Sequence, residues 1–260
     1  MQDATPRIVL LGASNLTRGI STVVGMAAEL VGAPSEFLIA MGHGRSYGQR
    51  STLLGRSLPG IAECGLWAAL RQRSGGSGPT FALITDIGND VIYGVPVETI
   101  LRWVTECVDR LRETGAGIVV TLPPMESLET LTPWRFGLAR SLFFPGRGMS
   151  LTTAMDRLRA LYEGLQPLGG RDGVTLVEPD GRWYGLDPIH PRRRFLVRAW
   201  QQAIGPWGAG GATPRKPDPS AVRWLRLRTA TPQKWWLAGR RMGRSQPCSR
   251  LPDGTGLWFF

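Results

Sequence analysis

The chain has 260 residues, 42% hydrophobic and 20% charged, the composition of a globular protein with room for a sizeable core. No run approaches the roughly 18 uninterrupted apolar residues of a membrane-spanning helix, and the strand-like run from Arg7 predicts no secretory leader. Cys64, Cys107 and Cys248 are odd in number and lack CxxC spacing, which disfavours a disulfide framework or a zinc knuckle and predicts a reduced, cytoplasmic setting.

The net charge of +11 suggests a nucleic-acid binder until it is mapped. Residues 1–204 carry 21 Lys and Arg against 18 Asp and Glu, whereas residues 205–260 carry 10 against 2. Most of the excess therefore sits at the end of the chain and says little about the rest. All the basic residues except Lys216 and Lys234 are Arg.

In chain order, an apolar strand at 7–11 precedes a helical pattern at 17–31. A strand at 37–41 and a helix at 61–71 follow, then a strand at 81–85. The helix predicted at 97–114 puts Ile100, Leu101, Val104, Val108 and Leu111 on one face. Strands at 118–122 and 174–177 flank a helical pattern at 151–165, and a helix at 195–204 closes the unit. Five strands separated by helices predict an α/β domain over residues 7–204, with a parallel sheet covered on both faces. Gly and Pro fill 15 of the last 56 positions, yet five of the ten Trp lie there and residues 222–228 alternate as a strand does. Residues 205–260 read as an extension, a hairpin or partly disordered, that is dispensable for chemistry. Its charge predicts an anionic partner, nucleic acid or an acidic surface, released by salt.

Ligands of open parallel sheets bind at the carboxyl ends of the strands. The first strand runs into Gly12-Ala13-Ser14-Asn15. A serine on that turn can project its hydroxyl beside a helix N-terminus, and it can equally serve as a helix cap. GxGxxG is not matched and no acid ends the second strand, so a dinucleotide site is not supported. The third strand ends in Asp86-Ile87-Gly88-Asn89-Asp90, where Asn89 either turns its amide into the crevice or stabilises a turn. Of the two histidines, His43 and His190, only His190 has a carboxylate, Asp187, placed to orient it.

Gly12-Ala13-Ser14, Gly88-Asn89-Asp90 and Asp187-Pro188-Ile189-His190 resemble, in order and context, the blocks of the SGNH (GDSL-like) hydrolases. The resemblance spans about residues 7–204 and implies a three-layer, flavodoxin-like α/β/α fold. It implies a serine esterase or lipase-like enzyme acting on a small ester, with Ser14 as nucleophile, His190 as base and Asp187 orienting it. The N–H groups of Ser14 and Gly44 and the Asn89 amide would hold the oxyanion, with Gly48 the fallback for Gly44; no metal or organic cofactor is implied. The family's first block usually carries Asp where this chain has Ala13, which leaves the support of the turn open. An acyltransferase on the same site and a silent domain with a basic tail are the alternatives. The aromatic-rich stretch 123–150, with Trp134, Phe136, Leu138, Leu142, Phe143 and Phe144, suits either a lid or a packed helix.

Overall fold

All five residues of β1 (Arg7–Leu11) are buried, as a strand covered on both faces requires. In the computed structural model, which describes residues 5–73, 78–137 and 149–260, β1 lies between β2 (Glu36–Ala40) and β5 (Thr80–Ile84), parallel to both. Beyond β5 come β6 (Gly117–Thr121) and β7 (Val174–Val177), again parallel. The five predicted strands thus stand in the doubly wound order 2-1-3-4-5, whose switch point falls between the first and third.

Alternation along the strands sorts the helices onto two faces. Val9 and Leu11 pack with α2 (Leu66–Gln72), α4 (Val97–Arg112) and α6 (Leu151–Leu165), while Ile8 and Leu10 pack with α1 (Ser14–Val31) and α7 (Leu196–Ile204). The predicted face of α4 is the buried one, with Cys107 added and Leu101 only partly covered. Two short helices, α3 (Asn89–Ile92) and α5 (Met125–Leu128), follow β5 and β6. No described helix is long and apolar enough to cross a membrane.

The sheet does not end where the sequence places the edge of the domain. The last strand, β11 (Gly256–Phe259), pairs in parallel with β2, and β10 (Ser249–Arg250) pairs antiparallel with β11, giving seven strands. Leu257 and Phe259 enter one core and Trp258 and Phe260 the other. The short run GLWFF carries too little pattern to separate a core strand from a tail. Residues 222–228 are not a strand: Ser220 caps the helix α8 (Ala221–Arg228) by accepting from the Arg223 N–H at 3.1 Å, and Leu227 buries against α1's layer. A hairpin lies further on. β8 (Lys234–Leu237) and β9 (Arg240–Gly243) join β3 (Ser51–Leu53) and β4 (Arg56–Leu58) in a small antiparallel sheet.

Candidate active site

α1 begins three residues earlier than the periodicity predicts, so Ser14 is its first residue, directly after β1. Ala13, at the cap position, has no side chain able to satisfy the first N–H groups. Asp86, at the end of β5, does so from across the switch point. Its carboxylate accepts from the N–H of Ala13 at 2.7 Å and of Leu16 at 3.2 Å, and from Asn15 Nδ2 at 2.7 Å. Asp86 holds this position with φ of 63°, a conformation that Asp and Asn tolerate better than most side chains. The turn support left open by Ala13 therefore comes from another strand.

With its N-terminus capped by Asp86, α1 leaves the Ser14 hydroxyl for another partner. Ser14 Oγ lies 2.8 Å from His190 Nε2, and His190 Nδ1 lies 2.7 Å from Asp187 Oδ2. The Asp187 loop is locked by its own backbone, since Oδ1 accepts from the N–H groups of Ile189 and His190, both at 3.1 Å. Asn15 Nδ2 donates to Ile189 O at 2.9 Å and ties this loop to α1. Burial pushes the Asp187 carboxyl up, but the His190 ring and the two N–H donors outweigh it and hold the group below its ordinary value. An ionised Asp187 keeps the proton on Nδ1, leaving Nε2 to accept from the Ser14 hydroxyl.

Ser14 and Asn89 line one cavity of about 140 Å³ at the carboxyl ends of β1, β5, β6 and β7. Most of its other lining is apolar, with Leu122, Leu128, Met155, Leu158 and Ile189, while Asn15, Thr85, Asp86, Thr121 and Gln202 are the polar exceptions. Asn89 Nδ2 is buried and has no hydrogen-bond partner among the described residues. An unpaired buried donor costs about 1–3 kcal/mol, a strain that a developing anion would relieve.

The second-block glycines separate. Gly44 adopts φ of 63°, and its carbonyl accepts from the Tyr93 hydroxyl just past α3 at 2.5 Å. It does not line the apolar cavity. Gly48 donates its N–H to Ser46 Oγ at 3.2 Å and packs against Trp103, where a Cβ would meet the indole at 2.0 Å. Its N–H is thus already occupied. The Gly44 loop is also fixed from Asp90, which accepts from the Tyr47 N–H at 2.8 Å while burial raises its carboxyl to about 6.

His43 takes no part in the hydrogen-bond relay of Ser14 and His190. Burial lowers its proton affinity, followed by the charges of His190, Arg18 and Arg228. Phe136 reaches the apolar cavity, Trp134 is exposed, and Leu138, Leu142, Phe143 and Phe144 lie outside the described residues. Among the described residues no group of three His, Cys, Asp or Glu side chains is arranged to hold a metal ion. Sequence reasoning missed the supporting role of Asp86. The available signal was an acid at the end of the strand facing the Ser14 turn across the switch point.

No protein-family model matches the chain, and no curated protein does. Among solved structures it is similar to a lipolytic protein of the G-D-S-L family from Veillonella parvula (12% identity, TM-score 0.46, covering 77% of this chain and 96% of that one). It is also similar to a putative acylhydrolase from Bacteroides fragilis (13%, 0.46, 76% and 86%). A third is the psychrotrophic esterase EstA from Pseudoalteromonas (17%, 0.38, 77% and 97%).

Proposed function

We propose that the chain is a serine-dependent acyl-ester hydrolase of the SGNH type. The observation that carries the reading is the relay from Ser14 Oγ through the His190 ring to Asp187, two contacts of 2.8 and 2.7 Å drawn from opposite ends of the fold. His190 Nε2 takes the Ser14 proton as Oγ bonds to the ester carbonyl carbon. Asp187 holds the imidazolium so formed. The carbonyl oxygen becomes an oxyanion that Asn89 Nδ2 and the N–H groups of Ser14 and Gly44 stabilise. When the oxyanion collapses, the bond to the alcohol breaks and His190 returns its proton to the departing alkoxide. Water then gives His190 a proton and attacks the acyl carbon. The acid leaves and Ser14 regains its hydrogen.

The apolar cavity receives the acyl group. At about 140 Å³ it is close to the ~150 Å³ of a cavity that takes benzene, so acyl groups of about six carbons or fewer fit. The test is fluorophosphonate labelling together with hydrolysis of aryl esters of graded acyl length. Ser14→Ala should lose labelling and at least roughly 10⁴-fold of kcat/KM, and activity should fall beyond about six carbons. Labelling that survives Ser14→Ala, or no hydrolysis of any ester, sinks the reading.

A further inference from the structure

A second cavity, of about 390 Å³, shares no lining residue with the apolar one among the described residues. Its walls come from α1, the loop after β2, the small sheet, α8 and the end of the chain. The floor is apolar, with Leu58, Leu227 and Phe259. The charged groups are Arg18, Arg56 and Arg228, beside His43, and no Asp or Glu lines it. Arg56 and Arg228 have no carboxylate partner among the described residues, and Arg18 has only Asp187, at 3.9 Å. Behind Phe260 lies the fully buried Arg45, its guanidinium donating to Phe260 O and to the Met41 and Pro59 carbonyls.

This cavity adjoins the candidate site. Arg18 stands one helical turn after Ser14, on the same face of α1, and its guanidinium comes within 3.9 Å of Asp187 Oδ2, the oxygen that also faces His190. His43, on the same wall, lies near enough to His190 that the His190 charge, after burial, lowers the proton affinity of His43. An ester seated with its acyl group in the apolar cavity needs a different space for its alcohol. Three arginines brought to one cavity by three elements match a tetrahedral polyanion better than a neutral alcohol. They also gain from a concave, low-dielectric floor that concentrates their field.

We propose that this cavity binds a phosphate carried on the alcohol side of the ester, through Arg18, Arg56 and Arg228. The proposal rests on the esterase reading for the chemistry of the leaving group, whereas the phosphate site itself is measurable without turnover.

The whole chain is assayed at low ionic strength on 1-butyryl-glycerol and on 1-butyryl-glycerol 3-phosphate. Binding of inorganic phosphate is followed in parallel by tryptophan fluorescence, since Trp224 lines the cavity. The phosphate ester should be favoured by about tenfold or more in kcat/KM. In an Arg56→Gln/Arg228→Gln double variant, two exposed positions, that ratio should fall toward one and the phosphate Kd should rise about tenfold. Titrating the tryptophan fluorescence with glycerol 3-phosphate and with phosphatidic acid vesicles tells a soluble phosphate from a lipid headgroup. A ratio near one in an enzyme that still cleaves the neutral ester overturns the phosphate site and spares the esterase. No hydrolysis and no fluorophosphonate labelling would sink the esterase instead. In that case the fluorescence titration decides the site alone, and absent or variant-insensitive phosphate binding overturns it.

Discussion

The two cavities beside Ser14 differ in how the chain builds them. The apolar one is made by the ends of successive parallel strands and the helices that follow them, so its walls arrive in chain order. The cationic one is assembled from α1, the loop after β2, the hairpin at 51–58 and the last forty residues, brought together by tertiary contacts. A pocket of the first kind is a by-product of the doubly wound topology. One of the second kind exists only because the end of the chain is part of the fold.

Removing residues 205–260 is the strongest way to break that distinction. The cut exposes the β2 edge and deletes Leu257, Trp258, Phe259 and Phe260, all at most 5% exposed. At roughly 1.5–3 kcal/mol for each large apolar side chain, the loss rivals the whole 5–15 kcal/mol stability of a domain. A 1–204 fragment should therefore be insoluble or unfolded by circular dichroism and thermal melting. A cooperative melt in that fragment would return the segment to the status of an appendage and make the apolar cavity self-sufficient.

Next in size is Asn89→Ala, which acts on the apolar side alone. Nδ2 is buried and has no partner among the described residues, so under the proposed mechanism deleting it removes a donor used only when charge develops. kcat should fall by about 10²–10³-fold, with KM nearly constant and the melting temperature not lowered. Unaltered turnover would make Asn89 a turn residue.

Asp90 sits one residue on, beneath the Gly44 loop, and its effect is read in stability. Its carboxyl is raised to about 6 from an ordinary 3.8, so folding favours the protonated form. That contribution is complete below about pH 3.8 and lost as pH rises through 6, on the order of 3 kcal/mol. Asp90→Asn should lack this loss, so its melting temperature should gain on the wild type between about pH 4 and pH 7. Parallel pH profiles for the two proteins would contradict the assignment.

How much of this was legible beforehand follows the same division. Strands 7–11, 81–85 and 118–122 announce themselves as apolar runs between helical periods, and Ser14, Asn89, Asp187 and His190 stand where such strands end or just before the last helix. The relay geometry needed no long-range guess beyond the fold. β11 was illegible because its partner is 220 residues away and its own pattern is five residues long. Residues 222–228, in α8, read as a strand because Val222 and Trp224 fall on one face and Arg223, Leu225 and Leu227 on the other, while the deciding signal, the Ser220 cap, lies just outside that window. The cationic cavity inherits both failures, since each of those elements supplies one of its walls.

Asp86 joins the two kinds of information, and it yields the smallest effect. Asp86→Asn keeps a residue that tolerates φ near 63° and keeps one oxygen for the Ala13 and Leu16 N–H groups. It turns the other acceptor into an amide facing Asn15 Nδ2, donor against donor, where a 2.7 Å bond stood. Asn15 also holds the Ile189 carbonyl, so the strain passes along one side chain from the Ser14 turn to the His190 loop. kcat should fall by about tenfold, near 1.4 kcal/mol, as Ser14 and His190 lose their register. A merely structural role would lower the melting temperature and leave the labelling rate of the folded fraction intact. A positioning role slows fluorophosphonate labelling of fully folded protein. Asn15→Ala in the same background separates the two, because removing the opposing donor should restore part of the labelling rate in the positioning case and none of it otherwise.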